Sequence, residues 1–152
     1  MADGERFIRL EQQHEVRVAI TWDPARPSIV GDEPSPLGTG EGPNPSQLLL
    51  AAVASCMTDS LFFALRKFGL DASPLSAEAR AEVGRNPEGR QRVLAIDVRL
   101  GLGRLPEDGA KLARALAQFE QFCTVGQSVA QGITTRVSVR APDGIVLHGA
   151  AT

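Results

Sequence analysis

Polar and apolar residues alternate in two early stretches, Arg6–Leu10 and Glu15–Trp22. The second is also rich in β-branched side chains, so both predict strands, with a short Ser28–Val30 segment able to pair with them. The pattern then breaks. Gly31 to Pro45 is dense in Gly and Pro and carries Asp32, Glu33 and Glu41, which predicts a long loop. Asn44 and Pro45 are suited to the N-cap and first position of a helix, and the apolar run that follows extends it to about Lys67, before Gly69. From Leu48 to Val53 this segment is apolar almost all round, which predicts a central, buried helix. Alternation returns over Ser76–Val83 and Val93–Leu102. Between them, Gly84–Gly89 has turn chemistry, so the pair predicts a hairpin. Pro106 to about Glu120 carries Leu112, Leu116 and Phe119 on one stripe and predicts a second helix. Thr124–Gln131 predicts a short third one ended by Gly132. Ile133–Val139 predicts a late strand, and Gly144–His148 a last short one. Strands, helix, strands, helices and strand give an α+β class in a single domain spanning 1–152.

Composition narrows the functional classes. The chain has 152 residues, a net charge of −2 and no tyrosine, with six Phe and one Trp, so an electropositive or base-stacking nucleic-acid surface is not expected. The start, Met1–Arg6, lacks the basic and apolar parts of a signal peptide. The Leu48–Ala54 run ends within about two turns, short of the ~20 apolar residues of a membrane span. The expectation is a cytoplasmic protein without nucleic-acid or membrane partners. Two cysteines are too few for a secreted disulfide scaffold, and in the cytoplasm thiols stay reduced unless they turn over.

Those two cysteines are the chief candidates for chemistry. Cys56 lies in the apolar helix, where an apolar surround, and Asp59 at i+3 if it faced the sulfur, would raise its pKa. Its activation would need a cation from elsewhere, such as Arg17 or Arg26 of the N-terminal region. Cys123 sits where an N-cap would, and the free N–H groups of the following helix favour its thiolate, so local electrostatics rank it as the more acidic thiol. Each also reads as a small residue packed in a core. His14 and His148 show no metal-ligand spacing and read as surface or strand-end residues. The glycines of Gly38-Thr39-Gly40-Glu41-Gly42 follow no direct strand and precede no Lys-Ser/Thr, so they do not form a phosphate loop. No metal or organic cofactor is expected.

Gly42-Pro43-Asn44-Pro45-Ser46-Gln47-Leu48-Leu49-Leu50-Ala51-Ala52-Val53-Ala54-Ser55-Cys56 resembles the first-cysteine motif of the OsmC/Ohr family, the osmotically induced and organic-hydroperoxide-resistance proteins. Phe122-Cys123-Thr124-Val125-Gly126-Gln127-Ser128-Val129, leading to Gly132-Ile133, is similar to its second-cysteine motif. The element order agrees, so the resemblance covers nearly the whole chain. It implies antiparallel sheets packed around two central helices in an intertwined homodimer. It also implies thiol-dependent reduction of organic hydroperoxides, with Cys56 as the attacking thiolate and Cys123 as the resolving thiol. This reverses the local ranking. An external dithiol would restore both thiols.

One departure from the pattern bears on activity. Hydroperoxide-reducing members of the family carry a glutamate after the Asn-Pro that works with an arginine to hold the cysteine. Here Ser46 and Gln47 stand in that region, and Gln47 can hydrogen-bond but not form an ion pair. Arg17, in the second strand, is taken as that arginine, and Glu41 is another acidic residue able to serve. The alternative is a non-catalytic protein of the same fold, binding a small apolar ligand or a partner at the dimer cleft.

Overall fold

A computed structural model describes residues 4–150 of the chain. It divides into two compact units, Met1–Leu49 and Leu50–Thr152.

The first unit is a three-stranded antiparallel sheet of β1 (Arg9–His14), β2 (Arg17–Thr21) and β3 (Ile29–Gly31), in that order. The first strand lies later than the alternation predicts. Its six residues are all exposed, so no core imposes an apolar period on it. Its position is set instead by the hairpin, where Gln12 donates from Nε2 to the Glu15 carbonyl (2.6 Å) and Glu15 adopts a positive φ of 48°. Arg9 then faces Thr21 and His14 faces Arg17, with an irregularity between Gln12 and His14. The third strand pairs Val18 with Gly31 and Ile20 with Ile29, and Ile20 is buried.

Helix α1 (Pro45–Lys67) begins and ends where the sequence predicts. Asn44 and Gln47 cap it reciprocally: the Gln47 N–H donates to Asn44 Oδ1 and the Asn44 N–H to Gln47 Oε1, each at 2.9 Å. Its burial departs from expectation. Only one stripe is covered, formed by Val53, Met57, Ser60, Leu61, Ala64 and Leu65, while Ala51, Ala52 and Phe63 are exposed. An all-apolar helix needs neighbours on every side, and this chain supplies them on one. The length of the apolar run is also corrected. Beyond Leu48–Ala54, Cys56, Met57, Leu61, Phe62 and Phe63 prolong the apolar tract, so the 23-residue helix is long and apolar enough to cross a bilayer by length and composition, with a third (33%) of its most apolar window buried. The core helix of a folded protein meets the same criterion.

The second unit holds a four-stranded sheet ordered β4 (Ser76–Arg85), β5 (Gln91–Gly101), β6 (Thr134–Arg140) and β7 (Val146–His148). The hairpin between β4 and β5 is longer than predicted, because the turn closes over Asn86–Arg90, with Gly89 at φ 75°. The expected all-antiparallel arrangement fails at one pair: β5 and β6 run parallel, with Ile96 beside Thr135 and Leu100 beside Val139. The chain between them passes through three helical segments, a crossover that returns it in the same direction. Ile96, Val98, Leu100 and Val139 are buried with the α1 stripe, Leu112, Leu116 and Phe119, and they form the core of this unit.

The predicted second helix splits. Helix α2 (Gly109–Leu116) is capped by Asp108, whose Oδ1 accepts from the Lys111 N–H at 3.0 Å. A turn of 3-10 helix follows over Phe119–Phe122, then α3 (Thr124–Val129). The tighter turn seats Phe119 fully in the core and delivers Cys123 to the start of α3.

Candidate functional site

Cys56 projects from the middle of α1 and is half-buried; Cys123 is the N-cap of α3 and is 1% exposed. The fold brings the two sulfurs to the same end of α3. The Val125 N–H donates to Cys56 Sγ (3.4 Å), and the next amide, Gly126 N–H, donates to Cys123 Sγ (3.2 Å). Two consecutive donors thus serve two thiols that lie 67 positions apart in the chain. The free N–H groups of a helix's first turn have no partner inside the helix, and here sulfur takes up two of them.

Gly126 makes this approach possible. A Cβ there would stand 2.7 Å from Cys123 Sγ and 3.0 Å from Met57 Cε, so any side chain would push α3 away from both.

The local acidity ranking does not survive. Burial, followed by the adjacent Cys56 sulfur, pushes the Cys123 thiol up to about 11, against a smaller opposing effect of the Gly126 N–H. A six-residue helix end does not offset full desolvation. At neutral pH Cys123 is a thiol, and Cys56 is the sulfur with access to solvent.

In the first unit, Arg17 lies on β2 and forms an ion pair with Glu41 of the long loop. That loop is built around Asp32, which is only 3% exposed. Its carboxylate accepts from the Glu33 N–H (2.8 Å), the Thr39 N–H (3.0 Å), the Thr39 hydroxyl (2.7 Å) and the Glu41 N–H (3.2 Å). These bonds, led by that of the Thr39 hydroxyl, hold the Asp32 carboxyl at about 2. Gly38 is required at this hub, since a Cβ would fall 2.3 Å from both Asp32 Oδ1 and the Glu33 carbonyl oxygen. Gln47 is occupied with the α1 cap, and Arg26 stands by Asp23 at 4.0 Å on the surface.

Sequence reasoning missed two features. Asp32 was read only as a loop acid, although an Asp in a Gly-Pro loop readily takes up backbone N–H groups and turns the chain on itself. His148, read as a strand-end residue, is half-buried and places Nε2 2.5 Å from Glu120 Oε1. No sequence signal pairs those two.

A family model described as OsmC-like protein matches residues 38–138. The chain belongs to the OsmC-like family. Solved structures agree on the fold. An OsmC-like protein of Mycoplasma pneumoniae superposes with a TM-score of 0.77 at 16% identity, covering 92% of this chain and 99% of the other. The organic hydroperoxide resistance protein OhrB of Bacillus subtilis gives 0.69 at 16%, covering 91% and 100%. The organic hydroperoxide resistance protein OsmC of Legionella pneumophila gives 0.67 at 18%, covering 91% and 98%. No curated protein matches the sequence. At these identities the structures establish the α+β fold of the OsmC-like chain and nothing of its substrate.

Proposed function

We propose that this OsmC-like chain is a two-cysteine thiol peroxidase that reduces organic hydroperoxides. The observation that carries the proposal is the pair of sulfurs at the start of α3, one half-buried and one sealed, held by consecutive amides. In the first step the Cys56 thiolate attacks the distal peroxide oxygen. The O–O bond breaks, an S–O bond forms, and the departing alkoxide takes a proton to leave as an alcohol. Cys56 becomes a sulfenic acid. Cys123 then displaces its hydroxyl, and the Cys123 proton leaves with that hydroxyl as water, which closes a Cys56–Cys123 disulfide. An external dithiol restores both thiols by exchange and is itself oxidised to a disulfide. The high pKa of Cys123 suits the second role, because a protonated thiol neither attacks peroxide nor repels the Cys56 thiolate.

Arg17 is the cation proposed to serve Cys56, and its pairing with Glu41 supports Glu41 as the carboxylate that orients it. Gln47 then serves as a cap residue that fixes the start of α1, not as a substitute for the family's glutamate. A homodimer is part of the proposal, supported by the uncovered apolar side of α1 and by Phe63, which is 65% exposed. A cytoplasmic setting, where dithiol reductants are supplied, completes it.

The test is a stoichiometric dose of an organic hydroperoxide such as cumene hydroperoxide, followed by intact mass under denaturing conditions. The expected product has lost two hydrogens and has no titratable thiol. A mass unchanged by the dose, with both thiols still titratable, refutes the proposal. One observation favours a second reading, the binding of a small apolar ligand without turnover. The first unit holds a hollow of about 480 Å³ whose walls are Leu10, Val16, Val18 and Leu48, with Gln12, Glu15 and Glu33 at its polar side. That reading predicts slow peroxide loss that Cys56→Ser leaves unchanged.

A further inference from the structure

Glu120 occupies the second position of the 3-10 turn that precedes Cys123, and both its carbonyl and its carboxylate are engaged there. Its backbone carbonyl accepts from the Cys123 N–H (3.1 Å) and from Gln127 Nε2 (3.0 Å), so one oxygen ties the turn before Cys123 to the helix after it. Its carboxylate Oε1 lies 2.5 Å from His148 Nε2. The His148 ring also meets the buried Phe119 edge to face, with centroids 5.4 Å apart. His148 is itself fixed, because β7 pairs with β6 and sets His148 opposite Val139. The segment carrying Cys123 is therefore held from outside by a strand 28 residues away at its His148–Glu120 contact.

We propose that the His148–Glu120 contact is a clasp that positions Cys123 for disulfide closure, and that both are positioning residues for this step alone. The inference rests on the thiol cycle proposed above. Closure needs the Cys123 sulfur presented to Cys56 within the short lifetime of the sulfenic acid, and a sulfur held in near-attack geometry reacts far faster than one on a segment that wanders. Cys123 is anchored at two of its atoms, its N–H by the Glu120 carbonyl and its sulfur by the Gly126 N–H, and its flanking turn is anchored by the clasp. The first two anchors are local and move with the segment. The clasp, with Phe119 packed against the same His148 ring, ties the segment to the sheet. Attack on peroxide, by contrast, belongs to Cys56 on α1, which neither residue contacts among the described residues.

The test separates the two steps in single turnover with stoichiometric cumene hydroperoxide, with dimedone trapping the sulfenic acid and intact mass counting sulfenic acid and disulfide over time. Three variants are compared. His148→Phe keeps a ring against Phe119 and removes the N–H donor. Glu120→Ala removes the acceptor, and Glu120→Gln keeps a neutral one. Loss of a charge-assisted hydrogen bond predicts closure slower by about 10-fold in the first two variants. Glu120→Gln stays within about threefold of the parent, and sulfenic acid formation stays within about twofold in all three. A role confined to stability would slow both steps together and lower the melting temperature in parallel. That outcome overturns the clasp, as does closure at the parent rate in both His148→Phe and Glu120→Ala. The same comparison with diamide needs no peroxidase activity, because diamide adds to one thiolate and is displaced by the second thiol as the hydrazine. A parent chain inert to hydroperoxide but closing with diamide would therefore refute the peroxidase while still reading out the clasp.

Discussion

Replacing Gly126 by alanine is the sharpest probe of the sulfur arrangement, because the structure fixes its size. The new Cβ would stand 2.7 Å from Cys123 Sγ and 3.0 Å from Met57 Cε, whereas ordinary contacts begin at 3.4 Å. The first turn of α3 must retreat by about 1 Å, since neither obstacle is a loose surface tip: Cys123 is 1% exposed and Met57 4%. Overpacking of this kind costs about 1–3 kcal/mol. Alanine in place of glycine within a helix returns about 1 kcal/mol. The net is a loss of about 1 kcal/mol, small enough for the chain to stay folded. The functional effect is larger. The retreat lengthens the Gly126 N–H contact to Cys123 and the Val125 N–H contact to Cys56, now 3.2 and 3.4 Å, and a misplacement of this size reduces rates by about 10–100-fold. The assay is the rate of disulfide closure after one equivalent of hydroperoxide, with chemical denaturation run alongside. A Gly126→Ala chain that closes its disulfide within twofold of the parent rate, with unchanged stability, would refute this account of the site.

Two further outcomes follow from the titrating groups. In a Cys56→Ser chain, burial alone keeps the Cys123 pKa above its ordinary value of 9.0, so alkylation by iodoacetamide should still be rising with pH beyond 9; a plateau below that contradicts it. The group's folded pKa is raised, so its contribution to stability is complete below about pH 9 and is lost as pH climbs toward 11. Asp32 has the opposite sign. Its carboxyl is held at about 2 against an unfolded value of ~3.9, so its contribution is present above about pH 4 and lost as pH falls toward 2. Acid titration followed by the emission of Trp22, the chain's one tryptophan, should show a transition in that window, and Asp32→Asn should abolish it.

How much of this was legible in the sequence depends on how local each determinant is. Helix α1 could be bounded to the residue because Asn44, Pro45 and the stop before Gly69 are chemical signals within a few positions of its ends. Cys123 at the start of α3 was legible for the same reason. The thiol ranking was not, since the pKa of Cys123 is governed by burial among residues distant in the chain, which outweighs the nearby amides. Strand β1 was misplaced because an exposed strand carries no apolar period to read. The parallel pairing of β5 with β6, the Arg17–Glu41 pair and the His148–Glu120 contact are all products of the fold. The family resemblance supplied what local chemistry could not, namely that the two cysteines meet. Glu41 was named there as an acid able to serve, but its ion pair with Arg17 was not legible, because it joins the loop to a strand.

The two neighbouring amides at the head of α3 have one more consequence. In the reduced chain each N–H is taken by a different sulfur. Closing a bond between those sulfurs draws both acceptors toward each other, so the Val125 and Gly126 contacts change at once. On the proposed cycle, oxidation therefore alters the backbone as well as the thiols. This turn leads directly into Gln127 and Ser128, which face solvent. The chain would thus display its redox state on its surface, where the exchange rates of two adjacent amide protons report it.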